Sequence, residues 1–248
     1  MKREDMSMAK PIIVERKGPF ATITLNRPRR GNVFTHTMMQ QLAAHVDEIA
    51  ADPKLRAIIL RGNGKDFCHG RDPKGPGGPP PDNAFDLHGK VFSKILDVYK
   101  AFRDCPAPIV TVVQGKALGF GCALVGGSDI AIASDGARFA LPEMGHGIAP
   151  TLAMSALAKV APKAVANMVY SMEEIDAPTA LAVGLVSQVV DADGLNETLD
   201  SLLGRLASYD VAAIRTIKRF LATGPQLDPG TMSDLAGYTL ATVATRPK

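Results

Sequence analysis

Two short stretches have the residue types and spacing for chemistry on a carbonyl group: "FCHGRD" at 67–72 and "ALGFGCA" at 117–123. Each follows an apolar, strand-like run and places a glycine where a backbone N–H can turn outward with no side chain in its way. Two converging N–H groups form an oxyanion hole, because they stabilise charge developing on a carbonyl oxygen without reorganising. Taken singly, each loop also fits an ordinary glycine turn after a strand. Phosphate is a poorer match. A P-loop ends in Gly-Lys-Ser/Thr, whereas Gly119-Phe120-Gly121 is followed by Leu124 where a dinucleotide fingerprint has its last glycine.

The elements that must hold these loops can be read from the pattern around them. "PIIVERKGPFATITLNRP" reads as two strands about a Lys17-Gly18 turn, and "THTMMQQLAAHVDEIAAD" as a helix with Met38, Leu42, Val46 and Ile49 on one stripe, capped by Thr35 or Thr37. "LRAIILRG" and "APIVTVVQG" are short enough and apolar enough to be buried strands, each running into one of the two loops. The Gly/Pro stretch 73–81 cannot be regular structure. After it the spacing predicts a long helix over 84–104, with Val91, Ile95 and Val98 inward, and this helix with the 73–81 loop is expected to line a pocket. "DIAIAS", "RFALPEM" and "LVSQVVD" supply further strands, and helices are expected at 151–160, 163–171 and 177–184. From Gly194 onward the pattern is helical. The chain is thus an α/β body with an all-helical tail.

The bulk composition excludes several classes. With 248 residues the chain can bury a substantial core, and a net charge of +3 argues for neither nucleic acid nor a membrane surface. No apolar run approaches spanning length, "MKREDMSMAK" lacks the apolar centre of a secretory signal, and three cysteines without a C-x-x-C pair suit a reducing compartment. The expectation is a soluble, cytoplasmic protein.

Five stretches, in order, carry a family resemblance: "ITLNRPRRGNV", "FCHGRD", "VQGKALGFGCAL", "SDIAIASDGARFALPEMGHGIAP" and "ALAVGLVSQVV". The chain resembles the crotonase (enoyl-CoA hydratase/isomerase) superfamily. The resemblance implies an α/β fold with a ββα-spiral core over 1–191 and a C-terminal helical trimerisation region over 192–248. It also implies an acyl-CoA thioester substrate, with no tightly bound cofactor and no metal, coenzyme A entering as part of the substrate. Assembly is expected to be a homotrimer or a hexamer built as a dimer of trimers.

Carried onto this sequence, the family's oxyanion donors fall on the backbone N–H groups of Arg71 and Phe120. Both side chains are larger than the small residues common there, which reshapes the pocket without removing the donors. Hydratases of the family use two glutamates; here the first position is Ala123 and the second is Glu143. One carboxylate beside an enolate still suffices to take a proton from one carbon and return it to another. That points to enoyl-CoA double-bond isomerisation, with hydration by a substituted water-positioning group as the alternative. Thr151 stands where dienoyl isomerases and aromatic dehalogenases carry an aspartate. His146 and His69 flank the implied site and are auxiliary acid/base candidates, while Cys68 and Cys122 read as packing residues. Arg29, Arg30, Lys116, His69, Gly70, Asp72 and Gly119 are the expected contacts to substrate and coenzyme A. A non-catalytic acyl-CoA or RNA binder on the same fold is the remaining alternative, with Arg215, Lys218 and Arg219 as its basic helix face.

Overall fold

The computed structural model describes residues 10–72, 74 and 82–246. Its main sheet has six strands in the order β1 (Ile12–Lys17), β2 (Phe20–Leu25), β3 (Ala57–Gly62), β4 (Ile109–Val113), β6 (Ile130–Ser134) and β9 (Gln188–Val190). Only the β1/β2 pair, joined by the expected Lys17-Gly18 turn, is antiparallel. Parallel strands must be buried on both faces, and the apolar runs of β3 and β4 meet that need by alternation. Ile58, Leu60, Ile109 and Val113 point into one core, while Ala57, Ile59, Val110 and Val112 point into another.

The first core is closed by α1 (His36–Ala50), α3 (Ser93–Asp104) and α4 (Phe120–Gly127), and the second by α8 (Leu195–Ser208) and α9 (Val211–Thr223). Thr35 caps α1, its side chain accepting from the Met38 N–H at 3.2 Å, and Met38, Leu42, Val46 and Ile49 are all buried as their spacing predicts. A second, three-stranded sheet stacks β5 (Lys116–Leu118), β7 (Arg138–Ala140) and β8 (Ile175–Asp176) beside the first. Three shorter helices connect its strands onward: α5 (Thr151–Ala156), α6 (Pro162–Ser171) and α7 (Ala177–Ala182).

The helical segment over 84–104 is present but is not one uniform α-helix. It begins as α2 (Ala84–Leu87), passes through a π-helical turn at His88–Phe92 and continues as α3. A π turn holds an extra residue, and such turns recur at functional sites. Val91, Ile95 and Val98 still face inward. The segment expected over 151–160 is helical only to Ala156, because 157–160 turn back before Pro162 opens α6. The Gly/Pro stretch, apart from Lys74, lies outside the described residues.

The tail folds as α8, α9 and α10 (Pro229–Ala244). Its basic residues do not form an open face. Lys218 is buried, donating to Asp129 at 2.6 Å and to the Phe102 carbonyl at 3.0 Å, and Arg215 donates to the Asp52 carbonyl at 2.9 Å. Helix α9 is thereby tied to the body through charge as well as through Ile214. By contrast α10 buries none of its residues in the single chain, and Ile217, Leu221, Tyr238 and Leu240 present an exposed apolar surface across α9 and α10.

Candidate active site

The two glycine loops lie side by side at the ends of parallel strands. Loop 68–71 is stitched on both flanks: the Cys68 N–H donates to Lys116 O at 3.0 Å and the Leu118 N–H to Cys68 O at 2.8 Å. On the other side the Phe34 N–H donates to Gly70 O at 2.9 Å and the Asp72 N–H to Phe34 O at 2.8 Å. This alternation uses the donors at 68 and 72 and leaves the Arg71 N–H without an acceptor among the described residues. Gly70 has φ +95°, a conformation that glycine adopts readily, and a Cβ there would lie 3.0 Å from Leu118 O and 3.6 Å from the Phe120 nitrogen.

Gly119, with φ +52°, turns the chain from β5 into α4 and makes Phe120 the first helical residue. An N–H in the first turn has no partner inside its helix, and it carries the positive end of the helix dipole. The Phe120 N–H is accordingly also unpaired among the described residues. Gly121 lets the loops close, since a Cβ there would lie 2.3 Å from Cys68 O.

Glu143 reaches the same place from a 3-10 turn, Pro142–His146, that follows β7. A Cβ on Gly119 would lie 2.8 Å from Glu143 Oε1, while Oε2 is buried with no hydrogen-bond partner among the described residues. Burial pushes the Glu143 carboxyl above the ordinary carboxylate range, against smaller pulls from its own backbone hydrogen bond, Arg71 and His146. A buried carboxyl with an unused oxygen is poised to hold a proton and to part with it. Beside it is a cavity of about 290 Å³ whose wall includes Arg71, His88, Tyr99, Phe120, Glu143 and Thr151. The Phe120 ring is wedged edge-on against Phe34 at 5.1 Å and tilted against Tyr99 at 5.9 Å, so its bulk sits in the core rather than across the N–H.

The structure thus brings Arg71, Phe120 and Glu143 together, with Gly70 and Gly119 as the hinges that allow it. Thr151 and Ile95, also singled out in the sequence, line this cavity, whereas His69, His146, Arg29, Arg30, Lys116 and Asp72 do not. His69 lies over Gly31 and pairs with Asp66 at 3.1 Å, and His146 is exposed on its turn. Asp72 is held between Arg27 at 3.6 Å and Arg30 at 3.7 Å; Lys116 pairs with Glu174, and Arg29 is exposed. Cys68 and Cys122 are fully buried; burial pushes the Cys68 thiol up to about 12 and the Cys122 thiol higher still, as fits packing residues. Ala123 is also fully buried and belongs to the core, not to the cavity wall. Among the described residues, no three His, Cys, Asp or Glu side chains are grouped to hold a metal ion, and no helix is long and apolar enough to cross a membrane.

Sequence reasoning missed Asn32, His88 and Tyr99. Asn32 is fully buried at φ +55°; its Oδ1 accepts from the Arg27 N–H at 2.9 Å, and its Nδ2 serves the carbonyls of Asn63, Asp66 and Phe67 at 3.0, 2.9 and 3.1 Å. It is the clamp under loop 68–71, and the Gly-Asn pair in "RRGNV" was the available signal. His88, Phe92, Ile95 and Tyr99 form a stripe of helical spacing along the cavity. That stripe is visible in the sequence once the segment is known to pass the loops.

A spiral of ββα units bearing two glycine loops and a helical tail defines a crotonase-fold protein. The sequence comparisons narrow this further: the model of the family described as enoyl-CoA hydratase/isomerase matches residues 15–233, and the chain belongs to that family. It is 35% identical over 193 residues to the rat (Rattus norvegicus) mitochondrial enoyl-CoA hydratase domain-containing protein 3, covering 77% of this chain but only 63% of that protein's length. A short-chain-enoyl-CoA hydratase of Clostridium acetobutylicum is 30% identical over 221 residues, 88% of this chain and 83% of the relative. Among solved structures, an enoyl-CoA hydratase of Mycobacterium smegmatis superposes with a TM-score of 0.89 at 29% identity, over 96% of this chain and 92% of that one.

Proposed function

We propose that this protein shifts the double bond of an enoyl-CoA thioester, with Glu143 as its single proton carrier. The thioester oxygen would sit between the Arg71 and Phe120 N–H groups, and the carboxylate of Glu143 would take a proton from C2 of a 3-enoyl chain. The electron pair released then spreads through the double bond to the carbonyl oxygen as a dienolate, whose charge the two N–H groups stabilise in place. The protonated Glu143 returns its proton at C4, which leaves the double bond conjugated with the thioester. One group serves both transfers, so no second carboxylate is needed.

The observation that carries this reading is the lone buried Oε2 of Glu143 next to the free Phe120 N–H, with core-bound Ala123 at the position where a hydratase of this family has its other glutamate. Hydration would need another group to position water, and His146, the candidate for that, is exposed and outside the cavity wall. The proposal extends to assembly. The family resemblance suggests trimers formed through the helical tail, and the apolar surface across α9 and α10 is available for such contacts.

The test supplies purified protein with a 3-enoyl-CoA and, separately, with a 2-enoyl-CoA, following conjugation and hydration by absorbance. Conjugation of the first, lowered about 10²- to 10⁴-fold in kcat by Glu143→Gln, is the expected outcome. Fast hydration of the second without any conjugation of the first would overturn it.

A further inference from the structure

Arg71 carries more than a backbone donor. Arg71 lines the cavity together with Glu143, His88, Tyr99 and Thr151, and its side-chain charge is close enough to act on both Glu143 and Tyr99. A guanidinium stays charged at all physiological pH values and offers five donors in a planar fork. This one has no ion-pair partner among the described residues. Asp72 is shared by Arg27 and Arg30, Asp66 pairs with His69, and Glu143, though close enough for the Arg71 charge to pull its pKa down, forms no ion pair with it. The adjacent stretch 73–81, PKGPGGPPP, contains no acidic residue at all. A cationic side chain with no ion-pair partner among the described residues, on a wall that also includes Phe92, Ile95, Phe120 and Leu152, suits a ligand that brings methylenes and then an anion.

We propose that Arg71 selects acyl-CoA thioesters whose acyl chain ends in a second carboxylate, that is, monothioesters of short dicarboxylic acids. The inference rests on the acyl-CoA reading above and specifies its substrate class. The same residue supplies the N–H for the thioester oxygen and the guanidinium for the distal carboxylate, so the reach of one arginine side chain limits the spacing between them. Short chains fit that limit. His88 and Thr151 are placed on the same wall to share the remaining lone pairs of the carboxylate.

Saturated thioesters test this by binding alone, because they have no double bond to move. Dissociation constants are measured by calorimetry for length-matched pairs: succinyl-, glutaryl- and adipoyl-CoA against butyryl-, pentanoyl- and hexanoyl-CoA. In the wild type, the dicarboxylic member is expected to bind at least about tenfold more tightly at the best-fitting length, as for a charge-assisted pair. Arg71→Met should bring that ratio to near one, and Arg71→Lys should retain part of it. Wild-type ratios under about threefold at every length would overturn the proposal, and so would a ratio that persists in Arg71→Met. If Arg71 grips the phosphates of coenzyme A instead, Arg71→Met weakens both members equally and the ratio persists, which also overturns it. Should Arg71→Met fail to fold, the wild-type ratios and Arg71→Lys decide. Flat ratios leave double-bond isomerisation standing, and a steep ratio in a protein that cannot isomerise would sink only that reaction.

Discussion

In the proposed reaction the carboxyl of Glu143 takes up a proton and releases it, and its surroundings set the pH at which it can do so. Burial raises its pKa above the ordinary 4.5, more than Arg71 and His146 lower it. If it acts as a base, the acid limb of kcat/KM lies above the usual carboxylate range. The same shift has a consequence for stability. Between the unfolded and folded values the folded protein binds more protons than the unfolded chain, so stability falls as pH rises through that window. Glu143→Gln is neutral throughout and removes this loss. The variant is expected to match the wild type below the window and to melt higher above it, with calorimetry from about pH 4 to 8 as the measurement. A melting difference that does not vary with pH would contradict the cause given. The identity of this residue was legible through the "ALPEMGHGIAP" match, but the neighbours that enclose it were not. The atoms that enclose it belong to Gly119 and the stripe ending at Tyr99, more than twenty residues away.

At the scale of elements, the strands and loops hold their positions through a few side chains that bridge distant backbone. Asn32 is the most connected of these, and its loss leaves the carbonyls of Asn63, Asp66 and the buried Phe67 short of a donor. Asn32→Ala is expected to cost about 2–3 kcal/mol in denaturant unfolding and to lower kcat/KM, since loop 68–71 then loses its support. Asn32→Asp, which keeps the acceptor for the Arg27 N–H but loses the donors, should recover little. A variant as stable and active as the wild type would show that the clamp is dispensable. Strands β3 and β4 and helix α1 were legible because their apolar period matches their burial. The π turn at His88–Phe92 was not, because one extra residue in a turn leaves no distinct mark on local spacing. Asn32 was missed for a different reason: its partners lie 31 to 35 residues further along the chain.

The whole molecule is two cores on either side of one sheet, with a tail anchored by Lys218 and Asp129 and an apolar surface left open across α9 and α10. Ile217, Leu221 and Leu240 line one groove between these helices, and exposed apolar surface of this kind is characteristic of interaction sites. Sedimentation of the wild type is expected to give a mass above that of one chain, and Ile217→Asp with Leu240→Asp should shift it to the single-chain value without loss of helicity. A wild type that sediments as one chain would reject assembly through this surface. The layout also bears on how such proteins diversify. The donors at 71 and 120 are main-chain atoms fixed by the sheet, so any residue except proline can occupy those positions and still present an N–H. Under the proposed mechanism, inheritance can therefore rewrite what the cavity admits, one side chain at a time, because the N–H groups that would stabilise an enolate belong to no side chain.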